Sequence, residues 1–291
     1  MDVLLTGATG YIGGRLLPRL LDDGHTVRAL ARHPERAELP DDDRVTVVQG
    51  DVVSGEGVEA AMQDIDVAYY LIHSMGASGD FAERDREAAD HFATAAKRAG
   101  VGRVVYLGGL EGEVSEHLRS RHEVAEILRR EGPPLVYVRA AMVIGSGSAS
   151  FQILEHLVKR LPLMITPRWI DTRSQPVAIS DVVGTLAELA TFVDPPDEVQ
   201  LGGSDTLTYH EMMTRFAHVL GRRAPFVVPT PVLSPRLSSY WVALVTGQDM
   251  SLVRPLVDGL SAEMIVEHAP PPGLNDDPKG FDDAVRAALA A

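Results

Sequence analysis

The 291-residue chain contains no cysteine. That excludes disulfides, thiolate-bound zinc and a cysteine nucleophile, and it fits a reducing cytoplasm. No uninterrupted apolar run approaches the roughly 18 residues that cross a bilayer. The first strand-like run begins at Asp2, which leaves no place for a signal peptide, so a cytoplasmic protein is expected. Positive charge is scarce, with 27 Lys and Arg against 41 Asp and Glu and a net charge of −14. Such a chain repels phosphate backbones, so nucleic acid is not an expected partner, and an anionic ligand needs a local positive site. Lysine occurs only at Lys97, Lys159 and Lys279, which reads as a composition bias without functional weight. There is no Gly-x-Ser-x-Gly elbow and no GK[ST] phosphate loop. The helical runs at His122–Glu126 and His210–Thr214 lack the second histidine of a zinc HExxH, so no metal site is expected.

What is present is the composition of a globular protein, 45% hydrophobic and 23% charged. Short apolar runs alternate with amphipathic stretches. Strands are expected at Val3–Leu5, Thr26–Ala31, Val45–Gln49, Val67–Ile72, Arg103–Leu107 and Leu135–Val138. Helices are expected at Gly13–Leu21, Phe81–Ala99 and Glu116–Arg130. This rhythm implies right-handed crossovers and a parallel sheet covered on both faces. Runs such as VLLT and VVYL are apolar on both sides, as buried parallel strands are. After about residue 145 the rhythm breaks into helices at Ser150–Leu161, Ser180–Phe192 (with Ser180 as its N-cap), Tyr209–Leu220 and Phe281–Leu289. The segments Leu237–Val245 and Leu252–Leu260 are short and amphipathic, and a short strand is expected at Leu163–Thr166. Pro225–Pro235 is extended or turning because its prolines fix φ. The expected architecture is α/β, with residues 1–145 as the unit that carries the parallel sheet, 176–195 returning to it, and 146–291 supplying a smaller C-terminal lobe.

The strongest motif is Thr6-Gly7-Ala8-Thr9-Gly10-Tyr11-Ile12-Gly13, between an apolar strand and a helix. Gly7 permits a tight turn, Gly10 a close approach of backbone to a pyrophosphate, and Gly13 close packing of helix on sheet. The helix N-terminus then offers N–H donors and partial positive charge to phosphates. At the end of the second strand, where an acid would take the ribose hydroxyls of NAD, the chain has Ala31-Arg32-His33. An arginine there suits a 2′-phosphate, so NADP(H) is the preferred cofactor and NAD(H) the alternative. Asp51, after the third strand, is placed to accept from an adenine amino group or is an ordinary turn aspartate.

The segment TGATGYIGGRLLPRLLDDGHTVRALARHPER resembles the atypical and extended short-chain dehydrogenase/reductases, and especially the NmrA-like NAD(P)-binding proteins. QGDVV at Gln49–Val53, AYYLIHSM at Ala68–Met75, GVGRVVYLGGL at Gly100–Leu110 and QPVAISDVV at Gln175–Val183 extend the likeness over about two-thirds of the chain. The resemblance implies a Rossmann-type doubly wound parallel sheet with the ligand at the carboxyl ends of the strands, residues 1–145 as the NAD(P)-binding domain and the C-terminal lobe for the substrate. It implies that Gly7, Gly10, Tyr11 and Ile12 line the pyrophosphate and that Asp51 and Val52 meet adenine. It further implies that Leu71, Ile72 and His73 pass the ribose, that Leu107, Gly108 and Gly109 flank the nicotinamide, and that Ala140–Val143 approach its carboxamide.

The pattern departs from that group where chemistry is expected. Its usual set is a serine after the fifth strand and a Tyr-x-x-x-Lys on the next helix, the tyrosine moving a proton and the lysine lowering its pKa. Here the strand ends Leu107-Gly108-Gly109, and the helix reads His117-Leu118-Arg119-Ser120-Arg121. His117 then stands for the tyrosine and Arg121 for the lysine, one helical turn apart. Tyr69, Tyr70 and His73 end the fourth strand and are further candidates to face the cleft, with strand-end packing as the alternative. Arg168, Trp169, Asp171 and Arg173 either border the substrate cleft or form a surface loop. Tyr240 and Trp241 either meet a partner or join the core. The expected function is an NADP(H)-dependent oxidoreductase on a small molecule. A cofactor-sensing regulatory protein or an epimerase is the alternative, and self-association is left open.

Overall fold

A computed structural model describes residues 1–72, 81–110, 116–166, 168–229, 235–247, 250, 253–254, 257 and 260–291. In chain order its elements begin β1 Asp2–Thr6, α1 Gly13–Asp22, β2 Thr26–Ala31, β3 Val45–Gln49, α2 Val58–Ala61, β4 Val67–Tyr70, α3 Phe81–Ala99, β5 Arg103–Gly109, α4 Glu116–Glu131 and β6 Leu135–Ala140. There follow β7 Val143–Ile144, α5 Ala149–Arg160, β8 Leu163–Thr166, β9 Arg173–Ser174, β10 Val177–Ala178, α6 Ile179–Glu188 and β11 Glu198–Leu201. The chain closes with β12 Leu207–Thr208, α7 Tyr209–Val219, β13 Phe226–Pro229, α8 Pro235–Thr246 and α9 Phe281–Ala290.

Seven strands form one parallel sheet in the order β3-β2-β1-β4-β5-β6-β11. The order reverses between β1 and β4, which opens a crevice at the carboxyl ends of the strands. Period-two alternation sends Val3 and Leu5 to one face and Leu4 to the other. On the first face they pack against Leu16, Leu17 and Leu20 of α1 and Val182 and Leu186 of α6. On the second, Leu4 and Ala68 share a core with Phe92 and Ala96 of α3 and Leu128 of α4. Each such leucine, fully buried, contributes about 1.5–3 kcal/mol relative to exposure. A separate core unites Phe151 of α5, Met212 and Phe216 of α7, and Phe281 and Val285 of α9.

Several sequence expectations are corrected. β4 ends at Tyr70, and neither Tyr69 nor Tyr70 lines the cleft, because each packs into the core on one face of the sheet. The Tyr69 hydroxyl donates to the Leu186 carbonyl at 2.6 Å. The Tyr70 ring meets Phe92 edge-on at 4.8 Å. Burial raises both phenols well above their usual range. α6 starts one residue early, with Ala178 as its N-cap, and the Ser180 hydroxyl donates to Asp181 at 2.9 Å. The short edge strand β11 carries no helix-strand rhythm of its own and escapes sequence analysis. It is tied on by Arg139, whose guanidinium lies 2.9 Å from Glu198. Glu211, in one of the two HE pairs, closes a capping box with Thr208 at the start of α7. Glu123, in the other, pairs with Arg86 at 2.9 Å. Among the described residues, no helix is long and apolar enough to cross a membrane.

Candidate functional site

The glycine loop is shaped by backbone packed on backbone. The buried Thr6 hydroxyl donates to the Tyr69 carbonyl at 2.9 Å and accepts from the Leu71 amide at 3.0 Å, pinning the ends of β1 and β4 together. Gly7 has φ +68°, and a Cβ there would stand 2.9 Å from the Leu71 carbonyl oxygen. Its own carbonyl accepts from the Gly10 amide at 2.9 Å. A Cβ at Gly13 would stand only 2.2 Å from that same Gly7 oxygen. Among the described residues, the amides of Tyr11, Ile12 and Gly13 have no acceptor. A cradle with no room for side chains, ending in outward amides at a helix N-terminus, fits a pyrophosphate.

Tyr11 joins this loop to the segment after β7. The Arg15 guanidinium lies 4.2 Å from its ring centre and donates to the Ser146 carbonyl at 2.7 Å. The Tyr11 hydroxyl is buried without a hydrogen-bond partner among the described residues. Burial raises its pKa, and Arg15 partly offsets the rise. The phenol therefore stays protonated near neutrality and keeps a donor at the cleft wall. Gly145 makes room for it, since a Cβ there would lie 2.3 Å from the hydroxyl. Neither Arg15 nor Gly145 is singled out by the sequence. The signal available was the small-residue run Gly145-Ser146-Gly147-Ser148.

One continuous cavity of about 490 Å³ runs from the glycine loop past the strand ends into the C-terminal part of the chain. It brings together Gly7, Gly10, Tyr11, Ile12 and Leu71 on one side and Leu107, Gly108, Gly109 and Arg121 on the other. Ala140–Val143 lie between them and the far end. Thr9 instead lines a neighbouring recess of about 270 Å³ with Ala8, Arg36 and Glu38. Arg32, Asp51, Val52 and Ile72 border neither space. Arg32 is exposed just past β2, and its side chain has no partner among the described residues. One Asp51 carboxylate oxygen accepts from the Val53 amide at 2.9 Å. The Val52 side chain is buried in the second core, so only its backbone is available to a ligand. His73 lies outside the described residues, as does the side chain of His117, whose backbone lies in the first turn of α4.

Arg121 is the one charged side chain among the described residues lining the cavity. Its carbonyl accepts from the Tyr106 hydroxyl at 3.2 Å, which fastens the start of α4 to the sheet. The missing serine has a steric cause. Tyr137 stacks on Tyr106 with ring centres 5.3 Å apart, and its hydroxyl would lie 2.7 Å from a Cβ at Gly108. Gly108→Ser therefore overpacks the sheet end and is expected to cost about 1–3 kcal/mol. Thermal melts check this, and the loss should disappear in a Tyr137→Ala background.

Of the loop's candidates, Asp171 and Arg173 do not line the cavity. Arg173 forms a two-pronged ion pair with Glu263 at 2.7 and 3.1 Å, and Asp171 is exposed. The side chains of Arg168 and Trp169 lie outside the described residues, as does that of Trp241, while Tyr240 is exposed.

Residues 7–146 match the NAD(P)H-binding family. The ceramide reductase of Caulobacter vibrioides is 27% identical over 239 residues, covering 79% of this chain and 74% of that protein. The 3-beta-hydroxysteroid dehydrogenase of Mycolicibacterium neoaurum is 36% identical over 114 residues, covering 36% of this chain but only 31% of its own length. Among solved structures, the Citrobacter sp. triphenylmethane reductase complexed with NADP(H) superposes with a TM-score of 0.79 at 18% identity, over 99% of this chain and 100% of that one.

Proposed function

From the premise that this chain carries an NAD(P)H-binding domain on the fold of the extended short-chain dehydrogenase/reductases and NmrA-like proteins, we propose that it is an NADP(H)-dependent oxidoreductase acting on a small molecule. The observation that carries this reading is the single cavity that starts at the glycine loop and continues beyond the strand ends. A protein that only stored or sensed the cofactor has no need of a second chamber opening onto the reactive end.

In this reading the amides of Tyr11, Ile12 and Gly13 hold the pyrophosphate, and Asp51 with the Val52 backbone meets adenine. Leu71, Ile72 and His73 pass the ribose. Leu107–Gly109 and Ala140–Val143 hold the nicotinamide edge toward the substrate. Bound dihydronicotinamide supplies two electrons and one proton as hydride. Arg121 orients the acceptor and offsets charge developing on it. His117, one turn earlier on the same helix, delivers the second proton. Residues 1–145 and 176–195 serve the nucleotide, and the remainder of 146–291 closes over the substrate.

Selection of NADP(H) over NAD(H) is assigned to Arg32, an exposed cation without a partner among the described residues, with Thr9 and Arg36 at the adjacent recess. A charge-assisted contact of this kind contributes roughly 1.5–3 kcal/mol. Arg32→Ala is therefore expected to weaken NADPH binding about 10- to 100-fold while leaving NADH nearly unchanged. Parallel fluorescence titrations with both nucleotides measure it. Equal losses for the two nucleotides would remove Arg32 from the selection.

A further inference from the structure

The far half of the cavity is walled differently from the half at the strand ends. Leu154 and Leu157 of α5, Met213 of α7 and Val242 of α8 converge there with Val257 and Leu260. Five of these six, Leu154, Leu157, Met213, Val242 and Val257, are almost wholly buried although they face open space. The wall is therefore the inner surface of a chamber and not an exposed patch. Arg121, the one charge among the described lining residues, belongs to α4 beside the strand ends. Ser148, a hydroxyl at the junction of the two halves, is already used. It donates to the Val143 carbonyl at 2.8 Å and caps α5.

A polar group pushed among these six side chains loses water and finds no hydrogen-bond partner on any of them, at a cost of about 1–3 kcal/mol. A methylene placed there gains about 0.8 kcal/mol. The chamber thus selects against sugars, nucleotides and short hydrophilic acids. It also opens onto the nicotinamide end of the proposed cofactor site, so its occupant is the molecule being reduced.

We propose that the substrate is an apolar-bodied compound, an alkyl or fused-ring carbonyl or quinone. Its reducible group lies at the Leu107–Gly109 and Arg121 end, and its hydrocarbon body lies between α5, α7 and α8. This rests on the oxidoreductase reading for the identity of the occupant but not for the apolar nature of the site.

The test uses the full chain and does not depend on turnover. N-phenylnaphthylamine, a probe that fluoresces in apolar cavities, is bound and then displaced by methyl ketones of increasing chain length, with and without NADPH. Affinity is expected to rise about 4-fold per added methylene and then level off when the chamber is full. Val257→Phe and Leu260→Trp, each narrowing the far end, are expected to bring the plateau to shorter chains while NADPH binding is unchanged. Two variants guard against one failing to fold. Affinity that does not change with chain length, or a plateau that neither variant moves, overturns the proposal. An intact chain-length series in a protein that does not bind NADPH would instead remove the oxidoreductase reading and leave the apolar site standing. A fused-ring ketone that competes better than any alkyl chain would assign the ring class within the same proposal.

Discussion

Gly13→Val is expected to weaken NADPH binding by more than about 100-fold, the equivalent of about 2.7 kcal/mol. A side chain at this position meets the backbone of the loop it follows. Its Cβ would lie 2.2 Å from the Gly7 carbonyl oxygen, 2.8 Å from the Gly7 carbonyl carbon and 3.0 Å from the Ala8 Cα. None of these atoms is the end of a flexible side chain. Relief requires the start of α1 to move away from the loop, which takes the amides of Tyr11 and Ile12 off a common target. Gly14→Ala is the control, because its Cβ would lie at an ordinary 3.5 Å from the nearest atom, the Ala8 carbonyl oxygen. It is expected to bind like the parent and to gain slightly in helix propensity. Fluorescence titration with NADPH, with circular dichroism to confirm folding, measures both. A folded Gly13→Val protein with parental affinity would contradict the loop's assignment.

Arg121→Ala is expected to lower kcat/KM about 10- to 100-fold with little change in NADPH affinity. The expectation follows from its charge and its place, since it is the one charged side chain among the described lining residues. A hydrogen bond to a charged group is worth about 1.5–3 kcal/mol, and in a site shielded from water little else replaces it. Because the Tyr106 hydroxyl bonds to the Arg121 backbone, truncating the side chain leaves the anchor of α4 in place. Arg121→Lys restores charge without the planar fork, so partial recovery indicates a charge role and none indicates geometry. Steady-state kinetics with a long-chain methyl ketone or an alkyl benzoquinone, beside nucleotide titration, separate the two parameters. An equal fall in NADPH affinity would reassign Arg121 to the cofactor.

The sheet was legible because it obeys simple periodicities. β2, β3 and α3 fall where alternation and the closing glycines put them, and the glycine loop announces itself by its context between strand and helix. What the sequence hid was side-chain direction at strand ends. Tyr69 and Tyr70 sit beside a site by position, yet adjacent strand residues point to opposite faces and both meet a covering helix layer. Hydrophobic runs cannot distinguish a tyrosine that donates to a substrate from one that donates to a buried carbonyl. The two residues of β7 carry no usable period, and β11 hides because Val199, Gln200 and Leu201 are all buried, a polar residue between two apolar ones with no alternation to the solvent. The apolar chamber was illegible for another reason. Its walls come from helices far apart in sequence, and each reads alone as an ordinary amphipathic face. The steric reason for the glycine at 108 needed Tyr137, which lies on the neighbouring strand.

Transfer of label from NADPH carrying deuterium at both positions of the nicotinamide C4 tests the central claim most directly. The protein is incubated with labelled NADPH and the tightest-binding member of the ketone or quinone series, and product and nucleotide are read by mass spectrometry. The account predicts loss of one deuterium from the nucleotide for each NADPH oxidised, with its recovery in the alcohol when a ketone is reduced. Nucleotide that binds tightly but keeps its label and its reduced state across the whole series would contradict it, and would make the protein a sensor of NADPH and not an oxidoreductase.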